Sequence, residues 1–224
     1  MTSFRHTVSL ALAVGLAAII AFVSGRALPF EARTYAQLDR YQEANRNVDC
    51  KRACTIFFGD SITEGWRLEL SFPGRNYVNR GIGGQTTSQM LLRFHQDVVS
   101  LHPAAVVIMA GINDVALHSP ISEVEANYQA MSEISKENGI SVYFESVLPV
   151  RKSGRKYSTE AISELNHWLQ AHCSTSGDSL IDYWPQMADK DMRLLPELSD
   201  DGLHPNSKGY STMTFVFDQK VPAR

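Results

Sequence analysis

A hydroxyl, an imidazole and a carboxylate can together cleave an acyl bond, and Ser61, His204 and Asp201 could supply them. A serine hydroxyl is a weak nucleophile, so Ser61 needs a base to take its proton as it attacks a carbonyl. His204, in Asp201-Gly202-Leu203-His204-Pro205, is the candidate base. The imidazole in turn needs a group that fixes its tautomer and stabilises the cation it becomes. Asp201 precedes it by three residues in a glycine-containing turn and can reach back to Nδ1, an offset that Asp200 lacks. Acyl transfer also passes through a negative tetrahedral oxygen that requires donors. The side-chain amide of Asn113, the backbone N–H of Gly84 and the N–H of Ser61 at a helix start are candidates. Glycine at 84 permits the close approach this needs.

Each of these residues also has an ordinary explanation. Ser61-Ile62-Thr63-Glu64 matches a capping box, in which the serine accepts a backbone N–H and the glutamate reaches back. His204 reads equally as a solvated histidine in a surface turn, and Asn113 as the head of an Asx turn. Gly81, Gly83 and Gly84 could simply form a flexible turn. What separates the two readings is whether the elements bring these residues to one place.

The elements do converge. Apolar runs at 55–58, 77–78, 104–110, 140–147 and 179–183 read as strands, and the third is too apolar for a one-sided sheet. Helical spacing covers 86–101, 123–138 and 159–173. A C-terminal helix opens at Asn206 or Ser207, both good N-caps. Alternating strands and helices with short linkers predict a parallel sheet of about five strands covered on both faces, a three-layer α/β/α sandwich. Ligands bind such sheets beyond the carboxyl ends of the strands. Gly59-Asp60-Ser61, Gly81 to Gly84 and Gly111-Ile112-Asn113-Asp114 follow the first three strands, and His204 follows the last. Trp66 and Tyr157 are assigned to the mouth of this site. His6, His95, His102, His118, His167 and His172 read as surface or helix-face residues.

These blocks carry a family resemblance. Gly59-Asp60-Ser61-Ile62-Thr63, Asn79 to Thr87, Gly111-Ile112-Asn113-Asp114 and Asp201-Gly202-Leu203-His204-Pro205 are similar, in order, to the four blocks of the SGNH (GDSL-like) hydrolases. The resemblance implies a flavodoxin-like sandwich and ester or thioester hydrolysis through an acyl-enzyme. It makes Ser61 the nucleophile, Asp201 and His204 the other triad members, and Gly84 and Asn113 oxyanion donors beside the Ser61 N–H. Ile62 stands where the family name has leucine. A literal Gly177-Asp178-Ser179-Leu180 precedes the last strand, which puts Ser179 on the wrong edge of the sheet.

The rest bounds the setting. Of 224 residues, 44% are apolar and 20% charged, and the net charge of -3 offers no basic field for nucleic acid. Arg5 and His6 precede an uncharged apolar run from Thr7 to Gly25, read as a secretory signal or, failing cleavage, a membrane anchor. Residues 1–27 are therefore a leader or anchor, 28–50 a helical lead-in and 51–224 the hydrolase domain. Both readings of the leader carry that domain out of the cytoplasm and leave room for membrane association. Cys50 and Cys54 could close a disulfide loop, or Cys54 could be a small buried residue. No cofactor and no metal site are expected. The implied partner is a small ester substrate, short acyl groups such as acetyl being favoured by the short chain. Lysophospholipid or thioester hydrolysis, acyl transfer to an alcohol, and a non-catalytic carbohydrate- or peptide-binding role are the alternatives. Gly81-Ile82-Gly83 begins like a dinucleotide loop, but Thr86 occupies the third glycine position.

Overall fold

The computed structural model describes residues 30–50, 54–152 and 156–221, so the predicted leader or anchor at 1–27 lies outside the described residues. Strands β1 (Thr55–Gly59), β2 (Tyr77–Gly81), β3 (Ala105–Met109), β4 (Ser141–Glu145) and β5 (Ser179–Ile181) form one sheet. All pairings are parallel and the order is β2-β1-β3-β4-β5. The chain runs outward from β1 to β2, then crosses back to β3, so the winding reverses beside β1. Such a reversal opens a crevice at the carboxyl ends of the strands. Gly59 pairs with both Gly81 and Met109, so the loops after β1, β2 and β3 leave the sheet at one level.

Both faces of the sheet are apolar because both are covered. Ile56, Phe58, Val106 and Ile108 pack against Met90, Phe94, Tyr128, Leu165 and Leu169. Those partners come from three helices, Thr87–Asp97, Ile121–Glu137 and Thr159–Ser176. On the opposite face Phe57, Val107 and Met109 meet Met213 and Phe217 of the C-terminal helix Ser207–Lys220, which Asn206 caps. The result is the three-layer α/β/α sandwich. Each large apolar side chain buried this way contributes roughly 1.5–3 kcal/mol.

The lead-in segment does not form one helix. It splits into α1 (Phe30–Ala36) and α2 (Gln42–Asn45), with Gln37 between them in the left-handed region at φ 53°. Carbonyls of Tyr35, Ala36 and Leu38 accept from Gln89, Gln85 and Gln96 at 2.8, 2.9 and 2.6 Å, which ties the segment to the sandwich. Cys50 and Cys54 are joined in a disulfide. Among the described residues no helix is long and apolar enough to cross a membrane.

Candidate active site

Where β1 ends, Asp60 caps a five-residue helix, Ser61–Gly65, by accepting from the Ile62 N–H at 2.9 Å. The capping box predicted on Ser61 is therefore not formed, because the cap falls one residue earlier and already has its acceptor. Ser61 becomes the first helical residue, and its Oγ lies 3.0 Å from His204 Nε2. Glu64 does not reach back to Ser61 either. Its carboxylate accepts from the Gly83 N–H and from the Arg40 guanidinium, each at 2.9 Å. Burial pushes the Asp60 carboxyl up to about 7; the Ile62 N–H opposes this and nearby Asp114 adds to it.

His204 is held by its own turn. Asp201 Oδ2 is 2.8 Å from His204 Nδ1, while Oδ1 accepts from the backbone N–H groups of Leu203 and His204 at 2.9 and 2.8 Å. Burial works to raise the Asp201 carboxyl, but these bonds outweigh it and hold the group well below the usual carboxylate range. Lys152 Nζ adds a cation 3.7 Å from Oδ2. Ser199, which sequence reasoning missed, braces the turn by accepting from the Gly202 N–H at 2.9 Å and donating to the His204 carbonyl at 2.7 Å. Gly202 sits at φ 76°, and a Cβ there would lie 2.9 Å from the Lys152 nitrogen. Asp200 turns away, accepting from Asn206 at 3.1 Å.

The candidate oxyanion donors lie on the loops after β2 and β3. Gly84 is exposed at the tip of its loop with φ 77°, a conformation that favours glycine. Asn113 uses one amide N–H to donate to the Gln85 carbonyl at 3.0 Å, which binds the β3 loop to the Gly84 loop. Its neighbour Asp114 is buried and accepts from the Thr87 N–H and hydroxyl at 3.0 and 2.7 Å. Asn79 braces the same loop to the Ser61–Gly65 helix. It donates to the Thr63 carbonyl at 2.6 Å and accepts from the Gly81 N–H at 2.8 Å.

Beneath these loops is a cation that the sequence did not single out. Arg93 is fully buried and donates to the Gly59 carbonyl at 3.0 Å, the Arg80 carbonyl at 2.9 Å, Asp97 at 3.1 Å and the Gln85 side chain. Its guanidinium lies over the Phe58 ring at 4.1 Å. The only trace of it in the sequence was the i,i+4 spacing to Asp97. Trp66, assigned to the mouth of the site, is instead core. The helix after Ser61 is so short that the chain turns inward, and the indole packs on Phe57 and Phe72. Tyr157 packs half-buried against the core of the other face. His172 bonds Asp178 at 3.0 Å and stacks on Trp168.

The structure thus brings Ser61, His204 and Asp201 into one hydrogen-bonded line. It sets the loops carrying Gly84 and Asn113 at the same edge of the sheet. A histidine that accepts from a hydroxyl on one nitrogen and donates to a carboxylate with the other can deprotonate that hydroxyl.

Residues 57–211 match the model of the GDSL-like Lipase/Acylhydrolase family. The chain is 34% identical to a GDSL-like lipase from Bacteroides thetaiotaomicron, whose crystal structure superposes with a TM-score of 0.77 over 83% of this chain and 97% of that one. It is 24% identical over 176 residues to an arylesterase from Vibrio mimicus, spanning 67% of this chain and 78% of the relative. It is also 26% identical over 164 residues to an N-acylneuraminate cytidylyltransferase from Streptococcus agalactiae. That match takes in 73% of this chain but spans only 38% of the relative's length.

Proposed function

This chain belongs to the GDSL-like lipase/acylhydrolase family, and on that premise we propose that it is a serine hydrolase of carboxylic esters with short acyl groups, such as O-acetyl esters. The observation that carries this reading is the hydrogen-bonded line from Ser61 Oγ through His204 to Asp201, at 3.0 and 2.8 Å.

His204 Nε2 takes the Ser61 proton as Oγ attacks the ester carbonyl carbon. Asp201 holds the imidazole tautomer and stabilises the imidazolium. The carbonyl oxygen, now negative, accepts from the backbone N–H groups of Ser61 and Gly84 and from the second amide hydrogen of Asn113. Collapse breaks the bond to the alkoxy oxygen, which leaves with the His204 proton and an acyl group on Ser61. Water then gives a proton to His204, attacks the acyl carbon, and releases the acid as Ser61 recovers its proton.

Openness supports water as the acceptor and a small acyl group. The side chains of His204 and Asp201 are 44% and 43% exposed, so solvent reaches the base directly. A long chain gains little from a site that leaves it in water. The N-acylneuraminate in the name of the Streptococcus relative keeps acylated sugars among the candidate substrates. The Cys50–Cys54 link supports export to an oxidising compartment.

Hydrolysis of p-nitrophenyl esters from acetyl to palmitoyl, with Ser61→Ala beside the native chain, tests the reading. Turnover that falls with chain length and vanishes in the variant is expected. A rise toward palmitoyl would move the substrate class to lipids, and equal activity in both proteins would overturn Ser61 as nucleophile.

A further inference from the structure

The oxyanion loop is held from outside by the lead-in segment, and this has a consequence for turnover. Three ties run from residues 36–41 to the loop between Gly81 and Gln85. The Tyr41 hydroxyl donates to the Gly81 carbonyl. The Arg40 guanidinium donates at 2.9 Å to Glu64, whose other carboxylate oxygen accepts from the Gly83 N–H at 2.9 Å. The buried amide of Gln85 donates to the Ala36 carbonyl at 2.9 Å. The ties thus fall on either side of Gly84, around whose Cβ position there is open space. The turn that carries Gly84 is closed only by a long 3.4 Å bond from the Gln85 N–H to the Ile82 carbonyl, so the ties on its flanks hold the direction of the Gly84 N–H. The match to the family model begins at residue 57, after these holding residues.

We propose that Arg40 and Tyr41 are positioning residues for ester hydrolysis, and that the segment from Phe30 to Asn45 is a strap that aims the Gly84 N–H at the developing oxyanion. This rests on the esterase reading above. An oxyanion donor acts on charge that exists only in the transition state. Loosening the strap therefore lowers kcat and leaves KM nearly unchanged, whereas a strap that only adds stability shifts unfolding and leaves kcat of the folded protein alone. Removing a donor outright costs about 10²–10³-fold. A donor left in place but free to wander costs less, and we expect ~10-fold.

The test uses the full chain carrying Tyr41→Phe with Arg40→Ala, and Tyr41→Phe alone in case the double variant does not fold. Arg67→Ala serves as control, because it and its exposed partner Glu69 lie outside the strap. Two readouts are taken well below the unfolding midpoint: kcat and KM on p-nitrophenyl acetate, and amide hydrogen exchange over residues 81–87. The expected result is a kcat about tenfold lower at unchanged KM in the double variant, with a smaller fall in Tyr41→Phe. Faster exchange confined to the loop should accompany both, and Arg67→Ala should match the native chain. Native kcat and native exchange in the folded variants would overturn the proposal. If the native chain cleaves no ester, the esterase reading falls on its own and the loop exchange alone decides whether the strap holds the loop.

Discussion

Glycine, aspartate and serine follow one another twice in this chain, at 59–61 and at 177–179, and the two copies have opposite fates. At the first, the tripeptide straddles the carboxyl end of β1. Asp60 is buried as a helix cap and Ser61 is left facing His204. At the second, the tripeptide enters β5, at the amino edge of the sheet. Gly177 ends a helix in the left-handed region and Ser179 is the exposed first residue of the strand. Asp178 there gathers donors from Ser132, Ser176, His172 and Lys136 at 2.6, 2.8, 3.0 and 3.1 Å. The same three residues make a turn that presents its serine to a histidine, or a buried anchor, according to which end of a parallel strand they occupy. Strand polarity, more than the letters, decides the chemistry.

The contrast predicts its largest effect at the serines. Ser61→Ala should reduce ester turnover by up to ~10⁶-fold, the order seen when a serine nucleophile is removed. Ser179→Ala should leave kcat and KM as they are. Comparable losses in both variants would break the contrast. A smaller effect sharpens it within the carboxyl edge. Asn113→Ala should lower kcat by about 10²–10³-fold, or ~2.7–4 kcal/mol, if its amide meets the oxyanion. Native kcat in folded Asn113→Ala protein would leave Asn113 only its bond to the Gln85 carbonyl.

How far the site was legible in the sequence follows the same line. Four strands announced themselves as apolar runs and β2 only by Tyr77 and Val78, since it continues through Asn79, Arg80 and Gly81; parallel topology then assigned each loop to an edge, which is how Ser179 could be set aside. The Asp201–His204 offset needed only local geometry. What stayed hidden depends on contacts between segments far apart in sequence. Arg93 reads as a polar helix residue, yet it is buried because the carbonyls of Gly59 and Arg80 need a donor beneath the loops. Tyr41 and Arg40 sit in a segment with no motif, and their targets are forty and twenty-four residues away. The break at Gln37 carries no glycine or proline to mark it. Trp66 misled because a large aromatic just after a nucleophile suggests a substrate wall, whereas its helix ends at Gly65 and the chain dives into the core.

An effect on stability alone, with no change in turnover asked of it, separates the two aspartates by sign. Burial raises the folded Asp60 carboxyl from 3.8 to about 7. Below 3.8 it is neutral in both folded and unfolded chains. Between 3.8 and about 7 the unfolded chain releases its proton and the folded chain keeps it, so stability falls as pH rises. Asp178 runs the other way. Burial works to raise it, but the donors Ser132, Ser176 and Lys136 outweigh burial and lower it below 3.8. Its contribution is complete above that value and is lost as pH falls through the folded one. Asp60→Asn keeps a good helix cap and removes the charge, so relative to the native chain it should gain stability from pH 4 to 7, by at most ~1.4 kcal/mol per pH unit. Asp178→Asn should cost about 1–3 kcal/mol, the same at every pH above 3.8, and less only as pH falls below it. Urea midpoints of both variants across that range are the measurement. A stability difference that grows from pH 4 to 7 for Asp60→Asn beside a flat one for Asp178→Asn keeps the two copies distinct, and parallel curves would mean that the two carboxylates share one environment after all.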